Sequence, residues 1–126
     1  HFIGSCFHSV IPNLMCHGGD ITNGDGSGGE SIYGATFNDE YTNGYIRHTE
    51  RGLLSMVNGG KDSNTSQFCL ILQEMPWLNR KHVVFGRVDE GMDVVTKSEA
   101  VGSETGVTSK TVMVKNCGQL KEADQE

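Results

Sequence analysis

Nowhere does the chain string together the roughly 20 apolar residues that a helix needs to cross a bilayer. Its first residues, His1-Phe2-Ile3-Gly4, also lack the basic-then-apolar layout of a secretory leader. A cytoplasmic location away from membranes is therefore expected. Positive charge is scarce: 10 Lys and Arg stand against 16 Asp and Glu, giving a formal charge of −6. The densest basic cluster, Arg80-Lys81, is too short to release counterions from a phosphate backbone, so nucleic acid is not an expected partner. The four cysteines, Cys6, Cys16, Cys69 and Cys117, form no Cys-x-x-Cys pair, and buried reduced thiols are expected rather than a disulfide framework. Cys6-Phe7-His8 and Cys16-His17 each pair a thiol with an imidazole, but at a spacing that fits no zinc pattern. No metal and no cofactor are expected.

With only two prolines against 17 glycines, the composition is that of a turn-rich folded protein rather than a disordered one, and 126 residues suit a single core. Short apolar runs lie between Gly and Asn clusters, as in an all-β protein. The segments 53–57, 68–72, 82–88 and 111–115 read as strands, the last with period two. Phe7-His8-Ser9-Val10-Ile11 is a fifth, ended by Pro12, which cannot donate to a ladder. One stretch reads as helix, from about Glu90 to Ala100, with Met92, Val95 and Glu99 on one side and Gly102 placed to stop it. Several strands and one short helix suggest a closed or nearly closed barrel with a helical cap.

The glycine-rich region from Gly18 to Gly34 invites two site readings, and both fail on spacing. Gly24-Asp25-Gly26-Ser27-Gly28-Gly29 lacks the Gly-Lys-Ser/Thr ending of a phosphate loop. Asn23, Asp25, Ser27 and Gly28 match the start of a calcium loop, but its twelfth position is Gly34, which has no carboxylate. A surface loop using glycines for positive φ and close chain approach is expected instead. Asn64-Thr65-Ser66 fits the glycosylation triplet, which needs a secretory route to matter.

Several runs, in order, carry a family resemblance. Phe7-His8-Ser9-Val10-Ile11-Pro12-Asn13-Leu14-Met15-Cys16-His17-Gly18-Gly19-Asp20 resembles the FHRxIPxFMxQGGD motif of cyclophilin-type peptidyl-prolyl isomerases. Gly28-Gly29-Glu30-Ser31-Ile32-Tyr33-Gly34 is similar to their GGxSIYG, Leu54-Ser55-Met56-Val57-Asn58 to LSMAN, and Asn64-Thr65-Ser66-Gln67-Phe68 to NxSQF. Lys81-His82-Val83-Val84-Phe85-Gly86 resembles KHVVFG, and Cys117-Gly118-Gln119-Leu120 a common family ending. The resemblance implies an antiparallel β-barrel that binds Xaa-Pro peptides in a surface groove. It also implies that residues 1–120 form a partial domain lacking the family's first two strands and first helix, with 121–126 a short acidic tail. Such a chain should be mainly β with one short helix, present open strand edges, and be monomeric if folded. The stretch Glu40 to His48 is longer than the family's counterpart and is expected to bulge through Asn43-Gly44.

The same resemblance assigns a site and shows where it is altered. Ser9 stands where the family keeps its catalytic arginine, and His17 where it keeps a glutamine that positions arginine and substrate. As an imidazole, His17 is able to charge near neutral pH. Met15, Gln67, Phe68 and Leu78 keep the family's residue types around the proline pocket, while Leu14 and Cys69 replace phenylalanines. Asn58 matches the residue whose backbone aligns the peptide, Trp77 the indole at the rim, and His82 the imidazole beside the pocket. Peptide-bond rotation faces a barrier of about 18 to 20 kcal/mol from amide resonance, which the arginine lowers by aiming donors at the prolyl nitrogen. Ser9 is short and neutral, so strongly reduced isomerase activity is expected, with a non-catalytic proline-peptide-binding module as the alternative. Trp77 implies weak affinity for cyclosporin. His82 has no base-orienting carboxylate in view, and the reaction needs no covalent step, so a catalytic triad is not expected.

Overall fold

The computed structural model describes residues 2–31, 36, 38–39, 46–60, 62–79 and 81–118. Five strands, β1 (Ser9–Ile11), β2 (Met15–Gly18), β3 (Leu53–Met56), β4 (Phe68–Ile71) and β5 (Val84–Arg87), form one antiparallel sheet in the order β1-β2-β4-β3-β5. Among the described residues the outer strands β1 and β5 do not pair with each other, so the sheet they form is open. This accords with the mainly-β, barrel-derived architecture that the motifs imply. A 3-10 turn (Pro76–Leu78) precedes β5, and one helix, α1 (Met92–Glu99), follows it. No helix among the described residues is long and apolar enough to cross a membrane.

The expected strands at 53–57, 68–72 and 82–88 are present with trimmed ends. The first begins at Ser9 rather than Phe7, and Pro12 ends it as expected. Pro12 then presets the next step: Leu14 N donates to Ile11 O at 3.0 Å across a tight turn whose third residue, Asn13, has φ 62°, a conformation Asn tolerates. β2 has no strand signal of its own, since Met-Cys-His-Gly is neither β-branched nor alternating in hydropathy. It forms because this turn returns it antiparallel to β1 while β4 pairs its other side. The expected strand 111–115 is reduced to a bridge, Cys6 with Met113, flanked by Phe7 N to Val112 O and Gly4 N to Val114 O, both 2.8 Å. Gly4, at φ 85°, turns the partner segment out of extended geometry.

Strand alternation separates the core into two layers. Leu53, Cys69, Ile71, Met75 and Val84 pack together with Leu14, Met15, Val57 and Leu78 against them. Val10, Cys16, Leu70 and Leu72 form the other cluster, with Phe7, Leu54, Val88 and Val95. β4 is buried at Cys69, Leu70 and Ile71 in succession, as a central strand covered on both faces must be. Two of the four free cysteines follow expectation and are buried, Cys16 and Cys69, with burial pushing their thiols up to about 11 and about 12. Cys6 is half-buried and Cys117 exposed, which corrects that expectation for the segments flanking the sheet.

Helix α1 turns Met92, Val95 and Glu99 inward, as its sequence spacing indicates. Glu99 Oε2 accepts Asn13 N at 2.8 Å and its other oxygen pairs with Arg51, pinning the helix to the β1–β2 turn. Gly102 has a different role from the expected helix stop, because its φ is not in the left-handed region and α1 ends without it. The position is glycine because the chain passes β1 there: a methyl group would run into the Val10 carbonyl. Ser103 N and Gly106 O complete this contact by bonding Val10 O and Val10 N at 3.0 and 2.9 Å, which occupies the outer edge of β1.

β5 carries a bulge. Ser55 pairs with Val84 and Leu54 with Gly86, leaving Phe85 unpaired and 52% exposed. The bulge expected at 43–44 and the acidic tail at 121–126 lie outside the described residues. The triplet at Asn64 is sealed: its side chain is fully buried, donating to Asp39 Oδ1 at 2.7 Å.

Candidate functional site

Register brings three of the four altered positions into one row. Ser9 on β1 lies opposite His17 on β2, His17 opposite Cys69 on β4, and Cys69 opposite Ser55 on β3. Residues directly opposite in a sheet share a face. Two residues along, Ile11, Met15 and Ile71 form the next row of the same face. Leu14, Met15 and Leu78 gather with Val57 over this layer, and Cys69 beneath them is 4% exposed. The candidate pocket residues Leu14, Met15, Cys69 and Leu78 are thus brought together. Phe68 is not among them: it faces the other side of the sheet, edge-on to Phe2 and Phe7 with ring centroids 5.7 Å away in both cases.

Gln67 fixes the imidazole of His17. Its amide nitrogen donates both hydrogens to backbone carbonyls, Gly26 O at 2.9 Å and Gly28 O. Its Oε1 is therefore the atom that meets His17 Nε2 at 2.8 Å, and an acceptor there requires that Nε2 carry the proton. The His8 ring lies 4.3 Å from the His17 ring, with its own Nδ1 buried and unpartnered. Burial pushes His17 below the usual imidazole range and the neighbouring His8 pushes the same way, outweighing Gln67 and Asp20. This corrects the sequence-based reading of His17 as a group able to charge near neutral pH.

Ser9 stands with its hydroxyl against Gly106, where a methyl group would collide with it. Asn58 Nδ2 donates to Asn64 Oδ1 and Lys81 O, both at 3.2 Å, which holds the end of the β3 segment to the loop before β5. His82 Nδ1 donates to Met56 O at 3.0 Å, leaving Nε2 as an acceptor. The 3-10 turn separates its last two side chains: Leu78 packs on the core while Trp77 is 56% exposed. Pro76 begins that turn with its φ already fixed.

Three polar residues that sequence reasoning missed support this face. His48 is fully buried, and its backbone N and ring Nδ1 both donate to Asn79 Oδ1, at 2.7 and 2.9 Å. Its Nε2 is then an acceptor for the Ser55 hydroxyl at 2.7 Å. A serine, a histidine and an oriented amide resemble a nucleophile relay in outline, but Ser55 and His48 are both 0% exposed, so no substrate carbonyl reaches them. They tie β3 to the 3-10 turn. The usable signal was Ser55, in phase with inward Leu53 and so in need of a partner. Asp20 and His8 are the other two, and only their neighbours in space reveal them. No group of three or more His, Cys, Asp or Glu among the described residues is disposed to hold a metal ion.

Burial lowers the pKa of His8, His17 and His48 alike. Each is neutral when folded and takes up a proton more readily when unfolded, so their contribution to stability is complete above about pH 6.5 and declines as pH falls through that value. For Asp20, burial alone would raise the carboxyl, but the amides of Asn23, Gly28, Gly26 and Asp25 together hold it well below the usual range. The hydrogen bond from Arg51 holds Glu99 low as well. These two stabilise the fold in full above about pH 4, and their contribution declines as pH falls below that toward their lowered folded-state values. Urea midpoints should accordingly fall in two stages, one as pH drops below about 6.5 and a second below about 4. A midpoint that is flat across the upper stage would contradict the buried-neutral histidines.

Leu14, Met15 and Leu78 thus pack on Cys69, and Trp77, next to Leu78 in the 3-10 turn, stands exposed. The whole described chain matches a family described as cyclophilin type peptidyl-prolyl cis-trans isomerase/CLD, over residues 1–119. With the match running from one end of the sheet to the other, the chain belongs to the cyclophilin-type peptidyl-prolyl cis-trans isomerase family.

Proposed function

We propose that this chain binds Xaa-Pro segments of proteins at the row of Ser9, His17 and Cys69 and isomerises them at a much reduced rate. The observation that carries the reading is the pair Ser9 and His17. Neither supplies a cation: Ser9 is neutral, and His17 is held neutral with its Nε2 proton given to Gln67. A donor aimed at the transition state is worth about 100 to 1,000-fold in rate when it is the only thing lost. Leu14 and Cys69 in place of two rings also weaken the grip on a proline, through lost contact area. Trp77 at the rim supports weak affinity for cyclosporin.

The second reading, a module that binds without turning over, is favoured by the same spent donor on His17. Exchange NMR on a short Xaa-Pro peptide separates the two. Catalysed cis-trans exchange together with shifts at Met15, Gln67 and Trp77 supports the slow isomerase. Shifts without exchange support the module, and a peptide that perturbs none of the three refutes both.

A further inference from the structure

Asp20 takes no part in the chemistry above, yet its carboxylate is 2% exposed. It follows directly on β2 through Gly19, whose φ of 88° and close approach to the Ser66 carbonyl leave no room for a side chain. Asp20 Oδ1 accepts Thr22 N at 3.2 Å, Thr22 Oγ1 at 3.2 Å and Asn23 N at 2.9 Å. Oδ2 accepts Asp25 N at 3.2 Å, Gly26 N at 2.9 Å and Gly28 N at 3.0 Å. A carboxylate offers about four lone-pair sites, so this one is saturated by the loop that follows it. Converging backbone amides of this kind make a nest for an anion, and here the chain supplies the anion itself. Gly28 has no slack, since a methyl group would strike both the Thr22 hydroxyl and the Asp20 carboxylate. Two of the residues whose amides are captured, Gly26 and Gly28, are also the ones whose carbonyls take both hydrogens of the Gln67 amide.

We infer that Asp20 is a positioning residue for the groove: by gathering the amides of 22–28 it aims the Gly26 and Gly28 carbonyls at Gln67, which fixes the Gln67 amide and, through Oε1, the tautomer of His17. Its consequence for peptide affinity rests on the proposed function; the arrangement itself does not. The charge acts two hydrogen bonds from Gln67 and three from His17, touching no substrate. His17 then presents a constant face to the groove, with the proton on Nε2 and a lone pair on Nδ1.

The test is Asp20→Asn, which keeps the size of the side chain and turns one acceptor into a donor pointed at amides. Long-range nitrogen–proton spectra of the histidine rings report tautomers directly. In the variant, His17 should pass from a single Nε2–H form to a mixture, and the Gln67 side-chain amide should lose its exchange protection. The His48 ring, held by Asn79 and Ser55, should stay unchanged, which general loosening of the fold would not allow. Binding of an Xaa-Pro peptide should weaken about tenfold, as for one lost hydrogen bond. A folded variant with His17 still in one tautomer and Gln67 still protected would overturn the inference. Should Asp20→Asn not fold, Thr22→Val removes only the hydroxyl contacts to Asp20 and from Gly29, and the same two spectra decide the question. If the tautomers mix while no peptide perturbs the unmodified chain, the positioning role stands and the proposed function falls.

Discussion

Ser9→Arg is expected to raise the rate of catalysed Xaa-Pro exchange by about 100-fold, the lower end of what one transition-state donor contributes. Ser9 projects on the same face as His17 and Cys69, with its hydroxyl close against Gly106, which has no side chain of its own. An arginine turned from Gly106 toward the row would bring a charge that no proton uptake at His17 supplies near neutral pH. On the proposed function, Leu14 and Cys69 would still grip a proline ring loosely, and His17 still spends its donor on Gln67, which keeps the gain at the lower end. Line-shape or exchange spectra of a peptide, with variant and parent at equal concentration, give the ratio. A folded Ser9→Arg protein no faster than the parent would mean that the pocket, and not the missing cation, limits turnover.

His48→Ala should cost about 3 to 5 kcal/mol of stability, the range for removing a buried ring and leaving its polar partners exposed to an empty space. The ring is 0% exposed, and its loss leaves the Ser55 hydroxyl without its acceptor and Asn79 Oδ1 with one donor fewer. Against a typical total of about 5 to 15 kcal/mol, such a loss moves a small domain most of the way to unfolding. His48→Phe separates the two parts of the cost. It refills the space but satisfies neither partner, so it should retain a penalty of about 1 to 3 kcal/mol. Urea midpoints of the three proteins measure both quantities. A cost for His48→Ala below about 1 kcal/mol would show that the Ser55–His48–Asn79 tie does not hold the 3-10 turn to the sheet.

Most of the strands were legible because their apolar residues declare themselves locally. Leu53, Leu70, Ile71 and Val84 lie in short apolar runs between turn residues and are buried. The inward side of α1 was legible for the same reason. β2 was not, since a strand of Met-Cys-His-Gly draws its stability from two neighbours rather than from its own propensity. Gly102 is conspicuous in the sequence but misleading there. A glycine after a helix usually ends it, whereas this one makes room for the backbone of Val10. In the site, Met15, Cys69 and Leu78, singled out by family motifs, do pack together, but no pattern along the chain links His17 to Gln67, 50 positions away. Phe68 shows the limit of adjacency. One residue before Cys69 on a strand, it belongs to the opposite face, where Phe2 and Phe7 meet it.

The two outer strands of the sheet differ in a way that bears on aggregation. A fibril grows by strand addition only if each unit offers one free edge to accept a neighbour and another to pass the pairing on. Val10 on β1 already has its outward N–H and carbonyl taken by Gly106 and Ser103 of the same chain. Among the described residues that leaves β5, whose ladder is broken by Phe85 and which ends in a charged Arg87. Molecules that met through such an edge would use it up in the first encounter, so the open sheet favours a terminated pair over a growing stack.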